Sequence, residues 1–192
     1  FFIVLTLLSK KSELLIKKVN INKSRIGIIK ILNMMNAKIK LKNKRIYKGE
    51  EIADIYVKSK NNFKSINCPS NLNSSAIDEL LLIMCLVAAK AKGISTFHEL
   101  GELNQKESKR LDIAIRFLKM IGIKVLKNKD DVKIYGNPNL NLNGSYVMKD
   151  FLKDHRVVMT STIAALTFGG SWKISDRSSI NSSFPLFFKI LK

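Results

Sequence analysis

Three stretches of the chain read as wholly apolar helices that run into alternating strands. They are FFIVLTLLSKKSELLI (1–16), LLLIMCLVAAKAKGISTF (80–97) and VVMTSTIAALTFGGSWKI (157–174). Each has an unbroken hydrophobic block, a short polar or glycine turn, and then side chains of alternating polarity. Taking Ser12, Gly93 and Gly170 as equivalent strand entries, the units lie 81 and 77 residues apart. A more amphipathic second helix follows in each: RIGIIKILNMMN (25–36), RLDIAIRFLKMIG (110–122) and a truncated third version, SFPLFFKILK (183–192). In the second, Leu111, Ile115 and Leu118 fall on one helical face. Strand pairs come next, over 37–59 and 123–136, with Asn43 and the pair Asp130 and Asp131 expected at their turns. Polar linkers over 59–75 and 137–145 join the units. A helix that is apolar all round must be covered on every side, so the three first helices belong at the centre and the second helices outside. Self-similarity at this period places the chain in the α/β (α+β) class, as one domain built from three repeats.

The repeat puts chemistry at one end. Asp78 lies 15 residues before Gly93 and His155 lies 15 before Gly170, so both are expected at the N-terminus of a central helix. An acid there also reads as a residue that only stabilises the helix dipole. QKESKR (105–110) opens the outer helix of unit two with Lys106, Lys109 and Arg110. Cations are disfavoured at a helix start unless an anion sits there, where free backbone N–H groups also point at it. Glu107, three residues before Arg110, equally reads as half of a surface pair. KDHR (153–156) repeats the pattern: Asp154 can cap, while His155 and Arg156 bring positive charge to a second helix start. The sequence carries no glycine-rich phosphate loop, no metal-ligand spacing and no nucleophile elbow.

Composition changes the picture little. With 192 residues, 46% of them hydrophobic, the chain is long enough for a sizeable core. The net charge of +19 raises a nucleic-acid partner as a reading. The excess is mostly lysine scattered over many segments, with abundant Asn and Ile, which fits A+T-rich codon usage better than an arginine- and aromatic-lined groove. No apolar run reaches the roughly 18–20 residues of a membrane span. Cys68 and Cys85 have neither zinc nor disulfide spacing, and a reducing cytoplasm is expected. The chain opens inside an apolar run without Met, so residue 1 is read as a break in a longer protein.

IDELLLIMCLVAAKAKG, ELNQKESKR, KDHR and SSFPLFF, in this order, together with GEEIADIYVKS, resemble the EPSP synthase (3-phosphoshikimate 1-carboxyvinyltransferase) family over essentially the whole chain. The resemblance implies two domains, each an inside-out barrel of three β-α-β-α-β-β units, with the active site in the cleft between them. Residues 1–192 would be nearly all of the C-terminal domain, without the N-terminal one. It implies transfer of the enolpyruvyl group of phosphoenolpyruvate to the 5-hydroxyl of shikimate 3-phosphate, with no cofactor and no metal. By the same resemblance Asp78 contacts the attacking hydroxyl as base, Glu107 gives and takes the methylene proton, and His155 stands beside the reacting centre. Lys106 lies near the phosphorylated acid, and Arg110 and Arg156 clamp phosphoenolpyruvate. The implied partners are these small molecules alone, with no nucleic acid and no membrane, in a protein monomeric at full length. Three positions depart from the family. Lys109 replaces the Asp of K-E-S-D-R, which removes a partner for nearby arginines. Asn104 stands where Arg is usual, and Ser182 where one branch has a ligand-binding Lys. Alternative readings are a UDP-N-acetylglucosamine enolpyruvyl transferase, which shares the fold, a basic nucleic-acid-binding protein, and an inactive fragment. Turnover is not expected from residues 1–192 alone.

Overall fold

The computed structural model describes residues 1–106 and 108–191. Unit one runs α1 (Phe2–Leu8), β1 (Glu13–Asn20), α2 (Gly27–Met34), β2 (Lys40–Tyr47) and β3 (Glu50–Lys58). Unit two runs β4 (Asn67–Cys68), α3 (Asn73–Ala76), α4 (Ile83–Lys90), β5 (Gly93–Phe97), α5 (Arg110–Met120), β6 (Val125–Asn128) and β7 (Asp131–Gly136). Unit three runs β8 (Leu142–Met148), α6 (His155–Phe168), β9 (Gly169–Ile174) and α7 (Phe187–Ile190), with a 3-10 turn at Arg177–Ser182.

The sequence periodicity carries through to the packing. Helices α1, α4 and α6 pack against one another at the centre. Ile83 to Ala89 of α4 are all buried, as an all-apolar helix requires. Truncating a fully buried residue such as Leu86 to Ala would cost about 2–5 kcal/mol. Around this bundle, α2 and α5 keep one face in and one out. In α5, Leu111, Ala114 and Leu118 are buried while Asp112, Arg116 and Lys119 are exposed. The turn from each central helix into its strand needs a left-handed backbone. Gly93 (φ 104) and Gly170 (φ 80) supply it without steric cost, whereas unit one uses Lys11 (φ 50).

The sheets have the orders β1-β3-β2, β4-β5-β7-β6 and β8-β9. Four expectations need correction here. The first hairpin turns at Lys48 and Gly49, between paired Tyr47 and Glu50, and not at Asn43. Asn43 (φ 51) instead sits in a bulge between Lys42 and Arg45. Lys18 (φ 55) sits in the matching bulge of β1, and one carboxylate holds both. Asp54 accepts from the Lys18 N–H at 2.8 Å and from the Asn43 amide at 2.8 Å. In the second hairpin Asp130 is in the turn, but Asp131 already begins β7, paired with Asn128. The supposed linkers contain strands. Asn67 and Cys68 run parallel to β5, and Leu142 to Met148 run parallel to β9. They complete a strand-helix-strand entry to units two and three. Their short length, or their Asn and Gly content, hides the alternation. The third outer helix is shorter than expected, with only Phe187–Ile190 helical.

Stacked rings join units two and three. Trp172 of β9 stacks on Phe117 of α5 at 5.8 Å and on Tyr146 of β8 at 4.9 Å between centroids. Among the described residues, no helix is long and apolar enough to cross a membrane.

Candidate active site

The N-terminal ends of the central helices meet the start of α5 at one end of the bundle. Asp154 is the hub there. It precedes α6 with extended backbone, and its Oδ1 accepts from the Arg156 N–H at 3.0 Å, capping the helix. Its other oxygen, Oδ2, accepts from Arg110 Nε at 2.9 Å and from Ser108 Oγ at 2.8 Å. Both Arg110 and Asp154 are buried. Burial alone would raise the Asp154 pKa. The hydrogen bonds from Arg110 and Ser108, with the guanidinium charge, outweigh it and hold the carboxyl below its ordinary value.

Arg110 reaches further. Its Nη1 lies 3.4 Å from Asp78 Oδ1. On the other side of Asp78, Arg156 Nη2 lies 3.5 Å from Oδ2, and Arg156 Nη1 donates to Glu79 Oε1 at 2.9 Å and to the Asp78 carbonyl at 3.3 Å. The Asp78 side chain, 38% exposed, is therefore held between two arginines while still open to solvent. An open cavity of about 330 Å³ adjoins it, lined by Ser24, Arg25, Ser74, Ser75, Glu79 and Arg156 among others. Arg156, fixed at a helix start beside the accessible Asp78 carboxylate, can take an anion and a hydroxyl together, while the Arg110 side chain, 1% exposed, is held by Asp154 and Asp78.

The structure brings Asp78, Arg110 and Arg156 together, and one expectation about Asp78 needs correction. His155 opens α6, but Asp78 does not open its helix. Residues 77–82 form turns, broken by Leu81 at φ 56, and α4 begins only at Ile83. Lys106 lies between a 3-10 turn (Gly101–Gln105) and α5, and pairs with Glu102 at 3.2 Å. The His155 ring is half-buried and forms no hydrogen bond among the described residues. Glu107 lies outside the described residues.

The departures at Lys109 and Asn104 look different in three dimensions. Lys109 is exposed, and the arginines keep partners in Asp154, Asp78 and Glu79. Asn104 Oδ1 accepts from the Asp112 N–H at 3.4 Å, a free donor of the first turn of α5. Ser182 is exposed and bonds the Ser179 carbonyl at 2.8 Å. Sequence reasoning missed Glu79 and Ser108, and read Asp154 only as a cap. The signal available was their place inside the same short motifs. Among the described residues, no group of three or more His, Cys, Asp or Glu is placed to hold a metal ion.

The fold is one also seen in an enolpyruvyl transferase of solved structure. The enolpyruvyl transferase NikO from Streptomyces tendae superposes with a TM-score of 0.66 over 98% of this chain and 40% of its own, at 14% identity, a likeness of fold alone. A closer match is an EPSP synthase from Acinetobacter baumannii, with a TM-score of 0.89 and 30% identity over 98% of this chain and 43% of that one. The chain belongs to the EPSP synthase (3-phosphoshikimate 1-carboxyvinyltransferase) family, whose sequence model matches residues 1–191. The 3-phosphoshikimate 1-carboxyvinyltransferases of Petrotoga mobilis and Geobacter metallireducens are each 36% identical over 192 residues, which is all of this chain and 43% of theirs. The chain thus spans less than half the length of the curated relatives it matches.

Proposed function

We propose that this chain is the C-terminal domain of an enzyme that transfers the enolpyruvyl group of phosphoenolpyruvate to the 5-hydroxyl of shikimate 3-phosphate and releases phosphate. The observation that carries the reading is the continuous link Arg110–Asp154 and Arg110–Asp78–Arg156 across two repeats. Family membership supplies the reaction.

In this reading Arg110 and Arg156 bind the carboxylate and phosphate of phosphoenolpyruvate. Asp154 fixes the Arg110 guanidinium, so little orientational freedom is lost on binding. Arg156 is occupied by Glu79 in the absence of substrate, and a substrate anion takes over that contact. Asp78 accepts the proton of the attacking hydroxyl as its oxygen bonds to C2 of phosphoenolpyruvate. A carboxylic acid protonates the methylene carbon, and removal of a proton from the resulting methyl group expels phosphate from C2. That acid is assigned to Glu107 on its position in the KES motif. His155 stands beside the reacting centre, and Lys106 binds the phosphorylated acid after leaving Glu102. The facing half of the site comes from an N-terminal domain, in a monomeric cytoplasmic enzyme whose partners are its small-molecule substrates.

The test is phosphate release by the full-length gene product given both substrates. Glu107→Gln and Arg156→Ala should each lower kcat/KM roughly 100-fold or more, and residues 1–192 alone should give no turnover. A folded full-length protein that binds neither substrate, or variants that keep full activity, would overturn the assignment.

A further inference from the structure

A second cavity lies at the opposite end of the central helices. It measures about 750 Å³ and is bordered by the last residues of α1, α4 and α6: Leu8 and Ser9, Lys90, and Leu166 and Thr167. Along α6 alone, Thr167 is roughly 16 Å from Arg156, so this cavity is separate from the candidate active site. Four lysines line it, Lys10, Lys11, Lys60 and Lys90, and no carboxylate does among the described residues. They come from three places: the turn between α1 and β1, the connection after β3, and the last turn of α4. Lys60 and Lys90 are half-buried.

Helix C-termini attract cations, so neutralisation of the helix ends is the first explanation to weigh. Each helix end carries at most about half a negative charge, and three together about one and a half. Four ammonium groups exceed that by more than two charges. Nor is Lys90 spent on a helix end, since its Nζ donates to the Leu140 carbonyl at 2.7 Å, in the connection between units two and three. Burial, and then the charge of Lys10, lower the Lys90 pKa. A half-enclosed space with surplus positive charge gains most from an anion that several lysines touch at once. The amides of Asn61, Asn139 and Asn141 add neutral donors.

We propose that this cavity binds a small polyanion carrying two or more phosphate groups. Lysine serves phosphate as a point charge without the planar geometry that carboxylate pairs favour. The volume of about 750 Å³ lies in the range of small-molecule sites.

The probe is inorganic tripolyphosphate, titrated calorimetrically into the full-length gene product. The cavity should supply one binding event that persists in Arg156→Ala. That event should weaken at least tenfold in Lys10→Ser/Lys11→Ser, whose side chains are exposed. Lys60→Met/Lys90→Met should weaken it similarly, with unfolding midpoints checked in parallel. Lys119→Met, an exposed lysine of α5, should not change it. Loss in either double variant with the control unchanged supports the site. Absence of binding, binding that neither double variant weakens, or an equal loss with Lys119→Met overturns it. A single-stranded oligonucleotide that binds as tightly and displaces tripolyphosphate would also overturn it, as the mark of a diffuse basic surface.

Discussion

Replacing Asp154 by Ala removes three hydrogen bonds at once: those from Arg110 Nε, Ser108 Oγ and the Arg156 N–H. The first belongs to a buried ion pair whose side chains are 1% and 0% exposed. Breaking such a pair by deleting one partner costs about 3–5 kcal/mol, because the other charge is left without compensation. Arg110 keeps its contact with Asp78, so the lower end applies, about 3 kcal/mol. Loss of the helix cap adds about 1 kcal/mol. With a urea m-value of about 2 kcal/mol/M, a total near 4 kcal/mol lowers the unfolding midpoint by about 2 M. Trp172, the single tryptophan, stacked between units two and three, reports the transition by fluorescence. Removing both charges in Arg110→Met/Asp154→Ala should cost at least about 2 kcal/mol less than the two single changes summed. Asp154→Asn retains a capping oxygen and isolates the charge. The folded Asp154 pKa is depressed, so its stabilisation is full above the unfolded value of about 3.9 and is lost as pH falls through the folded value. The gap between the native chain and Asp154→Asn should therefore be constant from pH 7 to about 5 and close below pH 4. A loss under about 1 kcal/mol for Asp154→Ala, additive single changes, or a gap that does not depend on pH would refute the account of the hub.

Three other outcomes follow from the packing. A Cβ on Gly136 would fall on the carbonyl oxygens of Ala91 and Ala88, so Gly136→Ala should destabilise by roughly 1–3 kcal/mol, read as a drop in thermal midpoint. Asp54→Ala should release both bulges of the first sheet, seen as faster amide hydrogen exchange at Lys18 while amides of α4 stay protected. Burial pushes the Cys68 thiol up to about 11 and Cys85 higher still, leaving at most roughly one part in a thousand of thiolate at pH 8. Both should therefore resist thiol reagents in the folded chain and react together on unfolding.

What the sequence made legible was what short-range pattern can carry. The wholly apolar α4 could only be central, and Gly93 and Gly170 mark the same left-handed turn in two repeats. Where the pattern failed, another force had taken over. Asn43 has the left-handed backbone that a turn residue needs, but Asp54 uses its side chain to fix a bulge, and Lys48 and Gly49 make the turn. IDELLLIM reads as unbroken helix, yet Leu81, fully buried at φ 56, interrupts it. The strand β4 is two residues long, too short for any periodicity to show. Arg110 and Asp154 are 44 residues apart and lie in different units, so no local signal pairs them.

The repeat nonetheless explains why these groups converge. Arg156 bonds Glu79 and the Asp78 carbonyl at separations of 77 and 78 residues, one repeat length. Central helices that point the same way place equivalent residues of successive units at one end, whatever lies between. Evolution of the connecting strands and loops can then alter length and composition without moving the arginines relative to Asp78. The same geometry gathers the opposite helix ends, where Lys10 and Lys90 come from successive units and Lys60 from the segment joining them. A threefold plan thus builds two convergent poles. At one, Asp78, Glu79 and Asp154 balance the arginines; at the other, no carboxylate among the described residues lines the cavity and balances the lysines. The unbalanced pole is the one with charge to offer a ligand beyond the family reaction.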